Sequence, residues 1–88
     1  MSRDEFEDLA RREGYGTPKQ VSFAPSSRSD MHTHDQMSFV YVCSGTFILN
    51  SADGAPRYEA GQTCNLPANT PHAEEAGPDG ATILVARK

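Results

Sequence analysis

The spacing of apolar residues changes once along this chain, from a helical repeat to a strand-like alternation. Near the N-terminus, Phe6 and Leu9 lie at helical spacing, and the segment Ser2–Glu5 before them has the residue types of a capping box. Gly14 is a suitable stop, because glycine readily adopts the left-handed conformation that ends helices. The pattern therefore predicts a short helix over about residues 3–13.

Beyond that helix the chain predicts short strands separated by turns. The strongest signal is the run from residue 37 to residue 44, which is rich in β-branched and aromatic side chains and ends at glycine. About eight strands are predicted, at residues 21–23, 31–34, 37–44, 46–50, 57–60, 63–66, 72–76 and 81–86. Turn residues separate them, notably in the segments 52–54 and 77–80. This pattern predicts an all-β fold, a small antiparallel sandwich or barrel with one short N-terminal helix.

The alternation along the strongest strand assigns its side chains to two faces. One face is expected to line the barrel interior beside His34, with Ser38, Val40 and Val42. The other face is apolar and aromatic, with Met37, Phe39, Tyr41 and Cys43. A row this apolar needs a cover, and we expect the helix to supply it, through Phe6 and Leu9, rather than a second subunit. Residues 1–18 are thus expected to pack on a barrel formed by residues 19–88.

The composition is that of one small acidic domain. The chain has 88 residues, of which 36% are apolar, and its net charge is -4 at pH 7. A domain of this size buries only about 60–65% of its extended-chain surface, so a bound metal or a partner subunit would add stability. The cationic residues form no cluster, which argues against nucleic acid or an anionic membrane as the main partner. With two cysteines, no signal peptide and no membrane span, a cytoplasmic location is expected.

All three histidines of the chain are candidates for a single metal site. His32 and His34 are separated by one residue, so in an extended strand their side chains would share a face. His72 lies far from them in sequence, and we expect the fold to bring it onto the pair. Three neutral imidazoles suit a divalent transition metal such as Fe, Ni, Zn, Cu or Mn. The alternative, three histidines that line the barrel without a metal, remains open.

The histidines and the residues around them resemble the two motifs of the cupin superfamily, G-x5-H-x-H-x3,4-E-x6-G and G-x5-P-x-G-x2-H-x3-N. The matching positions are His32, His34 and Gly45 in the first motif and Gly61, Pro67 and His72 in the second. The resemblance covers roughly residues 30–87 and extends to short, single-domain cupins that carry an N-terminal helix. It implies a small jelly-roll β-barrel with a metal site in its mouth, often in a homodimer. It does not imply a particular reaction.

Four positions depart from these motifs. Ser26 stands where the first motif begins with glycine, and Asn69 and Ala76 replace the Gly and Asn of the second motif. Ser38, counted back seven residues from Gly45, occupies the place of the metal-binding glutamate of the family. This last departure has a chemical consequence, because it removes the carboxylate ligand.

Three candidates could fill the position of the missing ligand. Glu74 lies two residues beyond His72 and shares its face if that strand is regular. Gln36 follows His32 and His34 at intervals of two residues, so in a regular strand its side chain would lie on their face, and its amide oxygen is a weak neutral ligand. Water is the third candidate, with Ser38 as its hydrogen-bond partner. A divalent ion held by neutral ligands alone would keep its full charge and attract a small polar or anionic molecule.

Three kinds of function are compatible with these residues. The first is a metal-dependent enzyme of the dioxygenase or isomerase type, with catalytic residues unknown. The second is a module that binds or senses a small molecule without turnover, and the third is a metal-free barrel that acts through its surface. A phosphate-binding glycine loop, a G-x-S-x-G elbow and a C-x2-C zinc pair are all missing from the chain.

Overall fold

The computed structural model describes residues 1–88 as one helix and five antiparallel strands. Helix α1 spans Arg3–Arg12, and strands β1 to β5 span Lys19–Phe23, Ser38–Asn50, Arg57–Glu59, Thr63–Leu66 and Ala73–Arg87. Strand β5 lies between β1 and β2, and β2 pairs in addition with β3 and β4. The predicted fold class, a small antiparallel jelly roll with one N-terminal helix, is confirmed.

The predicted number of strands, about eight instead of five, is wrong, because two of the expected breaks are bends within long strands and residues 31–34 are not a strand. Apart from residue 37, the predicted strands 37–44 and 46–50 belong to the single strand β2, while 72–76 and 81–86 belong largely to β5. The ladder between β2 and β5 shifts register between Val42 and Ser44 and again between Gly45 and Phe47. The turn-like residues 77–80 lie opposite the second shift. Such irregularities bend paired strands without ending them, so the same residues that predicted turns here curl the sheet.

Gly45 lies in the second of these bends and makes the closest approach between the two long strands. Its φ angle is +75°, and a Cβ atom placed on it would lie 2.1 Å from the carbonyl oxygen of Gly80. No side chain fits between two backbones at that distance. The bend therefore requires glycine at position 45.

Two of the departures from the family motifs keep the backbone conformation that glycine favours. Ser26 has a φ angle of 57° and Asn69 one of 62°, both in the left-handed region. Asparagine is among the few other residues that adopt this conformation readily. The backbone N–H of Asn69 donates a hydrogen bond of 2.7 Å to the carbonyl of His34, which ties the loop before His72 to the histidine pair.

The buried side chains form two separate groups, one on each face of the sheet. The inner core contains Val40, Val42, Phe47, Leu49, Cys64, Leu66, Ala76, Ala81, Ile83 and Val85. The outer core contains Phe6, Ala10, Tyr15, Phe39, Tyr41, Leu84 and Ala86. The ring centroid of Phe6 lies 4.7 Å from that of Phe39 and 5.4 Å from that of Tyr41. The helix thus covers the aromatic face of β2, as the alternation predicted.

The helix begins and ends close to the predicted residues. The N–H of Glu5 donates to the Ser2 hydroxyl at 3.2 Å, and the N–H of Ser2 donates to the Glu5 carboxylate at 2.8 Å, which completes the capping box. The helix ends one residue before the predicted end, and Gly14 follows in the left-handed conformation with φ +84°. It is too short and too polar to cross a membrane, and the chain has no other helix.

Candidate metal centre

The three histidines and Glu74 converge at the mouth of the barrel. The three imidazole centroids are separated by 4.4 to 5.2 Å. One ligand atom from each of the four residues lies within 4.8 Å of the others. The structure therefore brings His72 onto the His32/His34 pair and adds Glu74, one of the candidates for the missing ligand.

Backbone pairing, rather than a regular strand, positions the first histidine. Residues 31–34 are not a strand, contrary to prediction, and His32 makes only an isolated bridge with His72. The two residues exchange both backbone hydrogen bonds, at 2.9 and 3.0 Å. His72 immediately precedes β5, and Glu74, two residues later, shares its face as expected. Two segments distant in sequence thus bring all four side chains to one point.

Hydrogen bonds to backbone carbonyls fix the tautomer of two of the imidazoles. Nδ1 of His32 lies 2.7 Å from the carbonyl oxygen of Asp30, and Nδ1 of His72 lies 2.8 Å from that of Thr70. Because a carbonyl only accepts, each Nδ1 carries the proton of the neutral ring. Each Nε2 then presents its lone pair to the centre of the cluster. Metal-binding histidines are oriented in this way by partners behind them.

The short contacts between Glu74 and the imidazoles require a proton or a cation between them. Its carboxylate oxygens lie 3.1 Å from Nε2 of His32 and 3.4 Å from Nε2 of His72. A carboxylate oxygen and the unprotonated nitrogen of a neutral imidazole are both acceptors, so neither can donate to the other. A proton on each ring, or a cation shared by the ligands, resolves this arrangement.

His34 has the feature that most favours a metal. Its Nε2 is buried, makes no hydrogen bond, and lies 4.0 Å from the Glu74 carboxylate. Burial lowers the pKa of His34, and the positive charge of Arg87 lowers it further, as would protonation of either of the other two histidines, against the opposing effect of Glu74. The ring is therefore held neutral, the form that binds metals. Buried polar atoms without a partner are rare in folded proteins, and a metal would supply one here.

The distances between the carboxylate and the imidazoles are in the range that a shared transition metal requires. Bonds of about 2.0–2.1 Å to one ion place neighbouring ligand atoms about 3–4 Å apart. Oε2 of Glu74 lies 3.1 Å from Nε2 of His32, and Oε1 lies 3.4 Å from Nε2 of His72 and 4.0 Å from Nε2 of His34, all within that range. Three imidazoles and one carboxylate are a donor set typical of zinc and first-row transition metals.

Ser29 holds the Glu74 carboxylate in place and was not predicted from the sequence. Its hydroxyl donates to Oε2 of Glu74 at 3.0 Å, and it lies 2.9 Å from the backbone N–H of the same residue. Burial by itself raises the pKa of Glu74, but the bond from Ser29 and the charges of His32 and His72 outweigh it, so the pKa lies below its ordinary value. Glu74 is thus ionised. A serine in a polar loop carries no signal that would have revealed this role.

A cavity of about 200 Å³ lies beside the cluster and is mostly apolar. Its lining consists of Val21, Phe23, His34, Ser38, Val40, Phe47, Leu49, Leu66, His72, Glu74, Ile83, Val85 and Arg87. Val40 lines it as predicted. Val42 does not, because it lies two residues further along β2, where it is fully buried in the inner core.

The remaining candidates from the sequence lie outside the ligand cluster. Ser38 is buried in the cavity wall, where its hydroxyl accepts a hydrogen bond of 3.2 Å from Nε of Arg87. Gln36 is exposed and borders a separate surface depression, so the structure does not bring it to the histidines. The segment from residue 34 to residue 37 is not a strand, and the parity argument for Gln36 therefore does not apply there.

The two cysteines pack against the two cores. Cys64 packs in the inner core, and burial raises its pKa to about 12, so its thiol stays protonated at neutral pH. Cys43 is half-buried beside the outer core, and the two form no disulfide. Neither lies in the ligand cluster.

Comparison with known proteins places the chain among cupins. Residues 19–86 match the Cupin domain family. An RmlC-like cupin from Shewanella frigidimarina NCIMB 400 has a similar structure, with a TM-score of 0.71 and 20% identity over 81% of this chain and 63% of that protein. No curated protein is similar enough in sequence to count as a match.

Two enzymes are among the other similar structures. The structure of the DMSP lyases RdDddP and RnDddQII gives a TM-score of 0.72 and 27% identity over 78% of this chain and 36% of the matched protein. Bacillus subtilis oxalate decarboxylase, a protein with Mn(II) centres, gives a TM-score of 0.70 and 19% identity over 78% of this chain and 20% of that protein. The chain spans less than two thirds of the length of each of the three proteins.

Proposed function

Because the chain belongs to the cupin family, with a match over residues 19–86, we propose that it binds one divalent transition metal in the mouth of its barrel and a small molecule in the adjoining cavity. The ligands are His32, His34, His72 and Glu74. The observation that carries the proposal is the Nε2 atom of His34, which is buried without a partner among the other three ligands. The same fold holds Mn(II) centres in Bacillus subtilis oxalate decarboxylase and is thus compatible with a metal.

Glu74 takes the place of the carboxylate that is missing at Ser38. It lies on β5 instead of β2, but its oxygens reach the same three histidines. With one carboxylate bound, a divalent ion keeps a net charge of about +1. Arg87, on the wall of the same cavity, adds a further positive charge. The site therefore favours a small polar or anionic ligand.

The residues of the chain have distinct roles in this function. The carbonyls of Asp30 and Thr70 orient two imidazoles, and Ser29 holds the carboxylate. The apolar wall of the cavity excludes water and accepts the apolar part of a ligand. A bound divalent metal would supply Lewis acidity and, if redox-active, electron transfer. If the protein is an enzyme, we propose that its reaction is of the dioxygenase or isomerase type. Oxygen uptake by Fe-loaded protein in the presence of small acids would distinguish an oxygenase from a protein that only binds the acid.

Addition of a transition metal should stabilise metal-stripped protein strongly. A ligand at 100 times its Kd that binds only the folded state adds about 2.7 kcal/mol. For a domain of this size that corresponds to a rise in Tm of roughly 10–20 °C. The measurement is thermal unfolding with Fe, Ni, Zn, Cu or Mn, with Mg²⁺ as the control because it prefers oxygen ligands. If none of the five metals raises the Tm and the purified protein contains none, the proposal is wrong.

Substitution of Glu74 by glutamine should weaken metal binding at least about tenfold, because an amide replaces the only charged ligand. Glu75→Gln is the matched control, since Glu75 is the next residue and its carboxylate accepts from Asn50 instead of meeting the histidines. Isothermal titration with Zn²⁺ measures both variants. Equal affinities of Glu74→Gln and wild type would show that the Glu74 carboxylate is not a metal ligand.

A further inference from the structure

Arg87 extends from the interior face of the barrel, which is unusual for a charged residue. It follows Ile83 and Val85 at intervals of two along β5, and both of these belong to the inner core. Alternation along a strand therefore places the Arg87 side chain on the same face. Consistent with this, Arg87 lines the cavity together with His34 and His72. The sequence spacing alone could have revealed this residue.

The guanidinium of Arg87 has no anionic partner in the chain. None of the salt bridges of the protein includes it. Its one side-chain hydrogen bond is the donation from Nε to the Ser38 hydroxyl at 3.2 Å. The terminal nitrogens are left to donate elsewhere, and a guanidinium presents such donors in a planar fork that matches a carboxylate.

Ser38 provides a second donor beside this fork. Its oxygen accepts from Arg87, which leaves its own hydroxyl hydrogen available, and the residue is only 2% exposed. Ser38 and Arg87 are direct partners across the β2–β5 ladder. A carboxylate at position 38 would lie opposite Arg87 in the ladder and offset its positive charge. Serine at this position instead leaves the charge available to a ligand.

We propose that Arg87 and Ser38 form a carboxylate-binding subsite beside the metal centre, and that the ligand is a small monocarboxylic acid with an apolar body. The carboxylate binds the guanidinium and the hydroxyl, and the apolar body occupies the cavity, whose other lining residues are mostly hydrophobic. The cavity of about 200 Å³ is small for a ligand site, so the acid has only a few carbons. This inference rests on the proposed function, since it assigns the ligand class of the same cavity.

The test compares butanoate with butanamide, which has nearly the same shape but no charge. NMR titrations of metal-free and Zn²⁺-loaded protein measure both affinities. Wild type should bind butanoate at least about tenfold more tightly in each form, and Arg87→Gln should reduce the preference to less than about twofold. Arg57→Gln, which removes an exposed arginine of β3 away from the cavity, should leave it unchanged. The titration of metal-free protein distinguishes binding of the carboxylate to Arg87 and Ser38 from its direct binding to the metal.

Equal affinity of metal-free wild type for the two compounds would overturn the inference, and this comparison does not depend on whether a variant folds. An unchanged preference in a folded Arg87→Gln protein would overturn it too. A Zn²⁺ titration of the same samples keeps the two proposals distinct. Metal binding without a preference for butanoate refutes only the subsite, whereas the preference without metal binding refutes only the metal centre.

Discussion

Replacement of His34 by leucine is expected to remove metal binding without destabilising the metal-free protein. Loss of a residue behind a metal ligand typically costs 10–100-fold in affinity, so loss of the ligand itself should cost more than about 100-fold. Nε2 of His34 makes no hydrogen bond that the substitution could break. Leucine also removes the cost of burying a polar atom without a partner. The free energy of unfolding of the metal-free variant should therefore equal that of wild type or exceed it by up to about 1 kcal/mol.

His72 is expected to respond differently from His34, because its replacement should also lower the stability of the metal-free protein. His72 is 1% exposed and its Nδ1 is bonded to the carbonyl of Thr70, so His72→Leu should lose both metal binding and stability. Asp35→Asn, at an exposed neighbour of His34, should change neither. Isothermal titration with Zn²⁺ and urea denaturation after chelation measure the two properties. If His34→Leu destabilises the metal-free protein by 2 kcal/mol or more, His34 is a structural residue and the metal centre loses its main support.

Substitution of Gly45 by alanine is expected to destabilise the protein by about 2–5 kcal/mol. The left-handed conformation costs a residue with a Cβ about 1–2 kcal/mol. The new atom would also overlap the backbone oxygen of Gly80, at 2.1 Å, and overpacking of this kind adds about 1–3 kcal/mol. A small domain is stable by only about 5–15 kcal/mol in total, so the loss is large.

Gly14→Ala is the matched control for this substitution. Gly14 has a similar φ angle of +84°, but nothing lies within 4 Å of the position that its Cβ would take. Alanine there should cost only about 1 kcal/mol, the conformational part alone. Urea denaturation of both variants measures the difference. Equal losses would mean that the β2–β5 bend can relax around a side chain, and the close approach would not be essential to the fold.

Local patterns in the sequence predicted the parts of this protein that depend on neighbouring residues. The capping box at Ser2 and the stop at Gly14 predicted the helix, because both act within one turn. Alternation along residues 38–42 predicted which side chains face the interior and which face the helix, because parity is a property of one strand. The same rule related Glu74 to His72. The motif resemblance then predicted the jelly roll and the three histidines.

The tertiary structure decided what depends on residues distant in sequence. Ser44-Gly45 and residues 77–80 were expected to end strands, but pairing between β2 and β5 carries both strands through them as bends, and no local signal distinguishes the two outcomes. Glu74 rather than Gln36 meets the histidines, because His32 is held by a backbone bridge to His72 and not by a strand. Ser38 and Arg87 are 49 residues apart in sequence, and they meet only because of the register between β2 and β5. The sequence thus shows the side-chain types and the local parity, whereas the carboxylate that meets the histidines and the arginine beside it are decided by the pairing of the long strands.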